Sequence, residues 1–365
     1  MSPAALCHQI GQLLIAGFDG AVVPVELKAI AREFGLGGVI LFARNVEAPE
    51  QVAELSYEIA RLVPDLPLWV SVDQEGGRVA RLKAPFTEWP PMATLGRSGD
   101  ERLVERFAGA MAKELRAVGI TLDYAPVLDV HTNPRNPVIG DRALGEKASE
   151  VARLGRVIIR ALQHEGVAAC GKHFPGHGDT VSDSHLELPL IEHPPERLRE
   201  VEFVPFRAGI EAGVAAIMTA HVFVPSLDER VPATLSKRVV TDILRHELGF
   251  AGVIVSDDLE MKAIANDYAV PEAAVLAIEA GCDGVLICSG RHETHAAALE
   301  ALVRAVEAER LPLLRVEDAL MRQRRAKERF LAAPAPARPL PGRALRQLLG
   351  CDAHRAVADE MARFL

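Results

Sequence analysis

The chain has 365 residues, 49% of them hydrophobic and 25% charged, which is the composition of an ordinary globular protein. The length suits two or three small domains or one large α/β barrel. The formal net charge is −9, and this acidic balance argues against nucleic acid as the main partner.

The first twenty residues, MSPAALCHQIGQLLIAGFDG, lack the basic start and the small-residue cleavage site of a signal peptide. No apolar run approaches the length of about 20 residues that a membrane-spanning helix needs. The cysteines are scattered and form no CxxC pair, which favours free or buried thiols over a disulfide framework: Cys7, Cys170, Cys282, Cys288 and Cys351. We therefore expect a cytoplasmic protein without a membrane partner.

Short apolar runs alternate with longer amphipathic stretches along most of the chain. Near-continuous apolarity is typical of strands buried on both faces of a parallel sheet. Stretches 100–119 and 147–166 have the period of helices and end at glycine. About eight strand–helix units in series predict an α/β protein with a (β/α)8 TIM barrel over residues 1–330. The predicted strands lie within residues 12–18, 37–43, 66–73, 121–130, 166–174, 214–224, 251–257 and 282–289.

The barrel pattern stops near residue 330. The segment LAAPAPARPLPG, residues 331–342, is rich in proline and alanine and predicts an extended connector. Residues 343–365 are amphipathic and too few to fold alone, so we expect a helical extension that packs on the barrel.

Polar residues follow five consecutive predicted strands. In this fold the carboxyl ends of the strands meet at one mouth, which carries the active site. A single acid at a strand end is more often a turn or cap residue, but five such segments indicate one site. The segments are SVDQEGGR (71–78), LDVHTNPRNPVIGDR (128–142), GKHFPGHGDTVSDSH (171–185), TAHV (219–222) and VSDDLEM (255–261).

Three chemistries could use these residues. A metal-dependent hydrolase would need ligands from among His173, His177, His185, His221 and Asp257, but Lys172 would repel a cation beside them. A phosphate site is disfavoured by the acidic SDDLEM segment. A glycosidase needs a carboxylate nucleophile, an acid/base and a ring of groups for sugar hydroxyls, and this requirement fits best.

Two long segments carry a family resemblance: KHFPGHGDTVSDSHLELP and LSKRVVTDILRHELGFAGVIVSDDLEM. They resemble glycoside hydrolase family 3, and more closely its single-domain bacterial β-N-acetylhexosaminidases of peptidoglycan recycling. The likeness covers about residues 8–330. It implies a retaining exo-β-N-acetylglucosaminidase that cleaves terminal N-acetylglucosamine from anhydro-N-acetylmuramic acid units with or without peptide. It further implies no organic cofactor and no metal, and we expect a monomer.

The resemblance also implies residue roles. Asp257 would be the nucleophile and His185 the acid/base, with Asp183 as the partner of His185. Residues two apart on an extended loop point to the same side, so this carboxylate can orient the imidazole. A histidine, whose ordinary pKa is about 6.5, can give a proton in one step and take one in the next. The implied sugar-binding residues are Asp73, Arg81, Arg142, Lys172 and His173.

Other readings of the same residues stay open. The site would also suit a phosphorylase, and a catalytically silent muropeptide sensor could keep a similar pocket. Some polar residues have purely structural explanations: Asp258 as a turn acid, His221 as a strand-end histidine, and Glu75 as an acceptor for backbone groups beside the glycine pair. For Asp129 a structural role and a sugar contact are equally open, and His177 and Asp179 could simply shape the loop.

Overall fold

The computed structural model describes residues 3–63, 67–331 and 338–365. Eight parallel strands form a closed barrel in which each strand pairs with its neighbours along the chain and the last pairs with the first. The predicted TIM barrel is confirmed. The strands are β1 (Leu14–Ala16), β2 (Gly38–Leu41), β3 (Trp69–Val72), β4 (Leu122–Asp123), β5 (Ala168–Phe174), β6 (Ala216–Thr219), β7 (Val253–Asp258) and β8 (Gly284–Ile287).

Seven of the eight predicted segments contain a whole strand, and β7 runs one residue past its segment, to Asp258. Each strand is shorter than the segment that predicted it. Segment 121–130 holds only the two residues of β4, because the chain then turns through the Ala125–Pro126 bond and proline cannot donate to a strand ladder. Segment 214–224 likewise holds only the four residues of β6. The residues that follow each of these two strands form loops at the barrel mouth.

Helices surround the barrel. The two predicted from periodicity are observed at Glu101–Ala117 and Ala148–His164, and the Asp100 carboxylate caps the first by accepting from Arg102 N–H at 2.8 Å. The other α-helices are Pro3–Ile10, Val25–Phe34, Pro49–Ala60, Ala93–Ser98, Pro195–Arg197, Phe203–Glu211, Lys262–Ala265, Val270–Ala280, His292–Glu307, Leu313–Leu331, Gly342–Leu348 and Asp352–Ala362. Leu198–Glu202 and Arg238–Glu247 are π-helical, and 3-10 turns occupy Gly11–Leu13, Ala43–Asn45, Gly140–Arg142 and Ala233–Leu235. None of the helices in the described ranges could cross a membrane.

The two larger apolar clusters of the described residues lie on either side of the barrel wall. The larger lies between the strands and the surrounding helices, and the smaller fills the barrel interior with residues such as Ile15, Ile40 and Met218. Helix Leu313–Leu331 closes the amino-terminal end of the barrel: Phe330 joins the interior core, and Trp69 Nε1 donates to Gln323 Oε1 at 3.1 Å. The other end of the barrel is therefore the one available for a site.

A buried carboxylate is one of the contacts between the carboxyl-terminal helices and the barrel. Glu114 accepts hydrogen bonds from Gly350 N–H at 2.9 Å and His354 Nδ1 at 2.7 Å, and also from Thr87 of the loop after β3. Six residues of the predicted connector, 332–337, lie outside the described residues.

Candidate active site

The floor of the barrel mouth is a buried ion cluster around Lys172 at the end of β5. Its ammonium group lies 2.8 Å from Asp73 Oδ1 and 2.6 Å from Glu75 Oε1, and 2% of the side chain is exposed. Burial lowers the pKa of Lys172, but the negative charges of Asp73 and Glu75 raise it by more, so the net pKa lies above its ordinary value. Two of the three ammonium protons are thus committed, and one remains for a ligand.

Glu75 is the centre of this cluster. It lies in a short hairpin, Gln74–Gly76 with Val79–Ala80, that directly follows β3. Arg142 binds it in a two-pronged contact, with Nη2 and Nε at 2.7 and 2.8 Å. Burial favours the neutral acid, but the charges and hydrogen bonds of Arg142 and Lys172 outweigh it and hold the pKa of Glu75 well below its usual range. Glu75 is therefore a counter-ion between two cations, which differs from the alternative reading of it as an acceptor for backbone groups.

Arg81 leaves the same hairpin and turns back toward the cluster. Its Nη2 lies 3.5 Å from Asp73 Oδ2, and its guanidinium stacks over the Phe42 ring at 5.5 Å. The Gln74 side chain fixes this return, because its Oε1 accepts from the N–H groups of Arg81 and Leu82. The hairpin thus brings Asp73, Glu75 and Arg81 to one edge of the mouth.

A second buried carboxylate orients the histidine of the KH pair. Asp129, after β4, accepts from His173 Nδ1 at 2.6 Å and from the N–H of His177 at 2.7 Å. Burial raises the pKa of Asp129, but His173 and His177 lower it below its ordinary value. Asp129 thereby leaves His173 Nε2 for a ligand, which is the way a carboxylate usually fixes the orientation of an imidazole. The contacts match the structural role considered for Asp129.

Asp257 and Asp258 end β7. Partial burial raises the pKa of Asp257, yet the nearby histidines His221 and His173 and a hydrogen bond from Asp258 N–H at 2.8 Å lower it below its ordinary value. Asp258 differs: its carboxylate accepts from the N–H groups of Glu260 and Cys288, and burial raises its pKa to about 7. Asp257 is therefore ionised at neutral pH, while Asp258 is only partly ionised there and serves the turn.

His221 is satisfied at both ring nitrogens. Its Nδ1 lies 2.8 Å from Thr234 Oγ1 and its Nε2 lies 2.9 Å from the carbonyl oxygen of Asp258. Burial lowers its pKa. These contacts are those of a strand-end histidine that supports β7 from β6.

The acid/base candidate lies on the long loop after β5. His185 Nδ1 is 2.8 Å from Asp183 Oδ1, and the same oxygen accepts from the His185 N–H at 2.9 Å. The two side chains are 65% and 33% exposed, so this pair is open to solvent while Lys172 and Glu75 are not. Burial raises the pKa of Asp183, but both hydrogen bonds from His185 lower it below its ordinary value, and the carboxylate stays ionised.

The predicted site residues therefore lie in four places. Asp73, Arg81, Arg142 and Lys172 share one network of ion pairs, which Arg142 joins through Glu75. His173 forms its own buried pair with Asp129, and Asp257 ends β7. His185 and Asp183 form a solvent-accessible pair on the loop after β5. The sequence signal for Glu75 was present, since an acid in a strand-end segment beside two glycines is unusual, but its partners lie 67 and 97 residues away. Within the described ranges, no group of three or more His, Cys, Asp or Glu side chains could hold a metal ion.

Comparison with known proteins agrees with this arrangement. The model of the glycosyl hydrolase family 3 N-terminal domain matches residues 5–326. The chain belongs to glycosyl hydrolase family 3. Its membership confirms the predicted family and the predicted enzyme class, a glycosidase.

Two relatives of this chain are both named β-hexosaminidase. A β-hexosaminidase of Nitrosomonas eutropha is 40% identical over 308 residues, covering 82% of this chain and 88% of the relative. One of Pseudomonas aeruginosa is 42% identical over 295 residues, covering 80% and 86%.

Solved structures match as well. A family 3 β-N-acetylglucosaminidase of Paenibacillus superposes with a TM-score of 0.93 at 42% identity, covering 98% of this chain and 68% of that one. NagZ of Neisseria gonorrhoeae, solved with N-trifluoroacetyl-D-glucosamine, gives a TM-score of 0.79 at 32% identity, covering 96% and 97%.

Proposed function

We propose that the protein is a retaining exo-β-N-acetylglucosaminidase with Asp257 as nucleophile. The observation that carries the proposal is the contrast at the end of β7: Asp257 has a lowered pKa, whereas the pKa of its neighbour Asp258 is raised to about 7. A nucleophilic carboxylate must be ionised to attack a sugar carbon. Asp257 meets that need in the mouth that also holds the sugar-binding candidates.

In the first step the sugar lies on the buried cluster and Asp257 attacks its anomeric carbon. The bond to the glycosidic oxygen breaks, and protonated His185 donates its proton to that oxygen, so the aglycone leaves as a neutral alcohol. Asp183 stabilises the imidazolium before transfer, since its own lowered pKa keeps it negative. The products are a glycosyl ester of Asp257 and a neutral histidine.

In the second step His185 takes a proton from water as the water oxygen attacks the anomeric carbon. The ester bond to Asp257 breaks, the sugar is released with retained configuration, and His185 is again protonated for the next cycle. One imidazole thus serves as acid and as base. An exposed loop supports this exchange because protons and water can reach His185 freely.

The buried cluster supports recognition of a neutral, hydroxyl-rich ring. Lys172 retains one N–H and His173 retains Nε2, and the Arg81 guanidinium lies beside the Asp73 carboxylate, so the mouth offers both donors and acceptors to sugar hydroxyls. The names of the relatives point to N-acetylglucosamine as that ring. We extend the proposal to cytoplasmic anhydro-muropeptides as substrates, with a monomeric enzyme that needs no cofactor and has no membrane or nucleic-acid partner.

A phosphorylase is the second candidate. A histidine acid becomes neutral after donating its proton, so it would repel an attacking phosphate less than a carboxylate would. Product analysis distinguishes the two. A hydrolase releases N-acetylglucosamine whether or not inorganic phosphate is present, whereas a phosphorylase releases the 1-phosphate and only when phosphate is supplied.

The nucleophile is tested by Asp257→Ala with an aryl β-N-acetylglucosaminide. We expect turnover to be lost while the circular dichroism spectrum and melting temperature stay close to wild type, because a strand-end acid at the mouth contributes little to the core. Substantial residual activity would move the nucleophile to another acid, Asp258 first. A wild-type protein without any turnover would instead favour a silent sugar-binding protein.

A further inference from the structure

His177 lies one turn beyond the end of β5 and is buried. Its Nδ1 is 2.8 Å from Thr180 Oγ1 and its Nε2 is 3.1 Å from Ser184 Oγ. A neutral imidazole has one donor and one acceptor, and a hydroxyl can play either part, so both contacts form in either tautomer. Burial and the nearby His173 lower the pKa of His177 to about 4, so the ring is neutral near pH 7.

Ser184 is the buried residue of an otherwise exposed or half-buried stretch, 181–187. Besides its contact with His177, its carbonyl oxygen accepts from Ala263 N–H at 3.2 Å, at the start of the short helix that follows β7. Ser184 stands between the half-buried Asp183 and the exposed His185. The loop is thus attached to the barrel at the one residue between its two functional side chains.

The backbone of His177 continues this connection inward. Its N–H donates to Asp129 Oδ1 at 2.7 Å, and the other oxygen of that carboxylate accepts from His173 Nδ1. Gly178 secures the position, since a Cβ atom there would lie 1.8 Å from the Val130 carbonyl oxygen. His177 therefore connects the sugar-binding floor of the site with the loop that carries His185.

We propose that His177 is a positioning residue for the acid/base: through its bond to Ser184 it holds the loop where His185 can reach the glycosidic oxygen. The inference rests on the proposed function, because it takes His185 as the proton donor. His177 itself, buried beneath the loop, acts on His185 only through Ser184. Its loss should therefore weaken protonation of the leaving group and leave sugar binding largely intact.

Two substitutions separate the contacts of the ring. In His177→Asn the side-chain amide lies near the former Nδ1, so the variant keeps the contact with Thr180 and loses the contact with Ser184. In His177→Gln the longer side chain places its amide near the former Nε2, so the variant keeps the contact with Ser184. Ser184→Ala removes the same bond from the other side without touching the histidine. Val181→Ala, at a 58% exposed position of the same loop, is the matched control.

The assay compares kcat/KM, which reports formation of the glycosyl ester, for a disaccharide and for an aryl glycoside with an acidic phenol. With the disaccharide we expect His177→Asn and Ser184→Ala to lose about three- to tenfold, the factor that one ordinary hydrogen bond supports. For the aryl glycoside, kcat/KM should change less than about twofold, because its leaving group departs without a proton. His177→Gln should recover most of the activity, and the double variant should be no worse than either single one.

Equal losses for both substrates, additive losses in the double variant, or no advantage of Gln over Asn would overturn the inference. If His177→Asn fails to fold, Ser184→Ala decides alone. His185→Gly is measured in parallel as the reference. If it shows the leaving-group dependence and the other variants do not, only the positioning role is wrong; if it shows none, the acid/base assignment fails and the positioning role with it.

Discussion

Glu75→Gln tests whether the buried ion cluster is the structural centre of the sugar site. Glu75 accepts three hydrogen bonds, one from Lys172 Nζ at 2.6 Å and two from Arg142 at 2.7 and 2.8 Å. A glutamine has nearly the same shape but carries no charge. Its oxygen can still accept from both cations, whereas its amide nitrogen would face the Nε–H of Arg142, donor against donor.

The expected cost follows from burial. Removing the charge of one partner from a buried ion pair typically costs about 3–5 kcal/mol, because the other charge stays buried without compensation. Lys172 retains Asp73, and glutamine retains one acceptor, so we expect the lower end, about 3 kcal/mol of unfolding free energy. We also expect KM for an aryl β-N-acetylglucosaminide to rise about tenfold, since Lys172 and Arg142 lose the group that aligns them.

Urea unfolding followed by circular dichroism gives the first quantity, and steady-state kinetics gives the second. Glu150→Gln is the control: its ion pair with Lys147 is 3.3 Å long and exposed, and losing it should change stability by less than about 0.5 kcal/mol. If Glu75→Gln unfolds within 1 kcal/mol of wild type, on the order of one surface pair, and keeps its KM, Glu75 is not the organising counter-ion.

Three further predictions concern other parts of the chain. Burial lowers the pKa of Lys327 from 10.5 to about 7, so between these pH values the unfolded chain binds a proton that the folded chain does not. The unfolding free energy, measured in urea relative to Lys327→Met, should therefore rise by about 3 kcal/mol from pH 6.5 to 9.5. A difference between the two proteins that does not change with pH would contradict this. Glu114→Gln weakens the contact with His354, so it should speed amide hydrogen exchange in helix Asp352–Ala362 and lower the unfolding free energy by about 2 kcal/mol. The control Glu360→Gln breaks an exposed pair with Arg106 and should lower the unfolding free energy by less than about 1 kcal/mol. Exhaustive chelation should leave activity unchanged, because the Lys172 charge lies among the candidate ligands; loss restored by zinc would revive a metal-dependent reaction.

The barrel could be predicted because its signal is local. Each strand is a short apolar run and each helix a periodic stretch, and both patterns are written in consecutive residues. The lengths could not be predicted, because a strand ends where its neighbours stop pairing. β4 is two residues long since it pairs with β3 and β5 only at Leu122 and Asp123. The hairpin after β3 was missed because its strands are two and three residues long.

The site was predictable as a set of strand ends but not as a network. The sequence placed Lys172 and Arg142 near the mouth, and the closed barrel brings them together. It did not reveal that both cations share Glu75, because that contact joins residues far apart in the chain and depends on how the hairpin folds back. The partners of His177 were likewise hidden, although Thr180 and Ser184 lie close in sequence, because the loop conformation decides which side chains meet.

The two halves of the site place opposite demands on the fold, and their burial differs accordingly. Binding a neutral ring needs donors and acceptors held in fixed directions, and a cation such as Lys172 remains charged under 2% exposure only because Asp73 and Glu75 compensate it. Proton transfer needs exchange with water, and a buried imidazole loses that ability: the pKa of His177 falls to about 4, and its ring stays neutral. His185 avoids this by standing on an exposed loop beside an ionised Asp183. An exposed loop has few contacts that fix its position. The buried Ser184, between Asp183 and His185, supplies one such contact through His177 without desolvating the imidazole of His185.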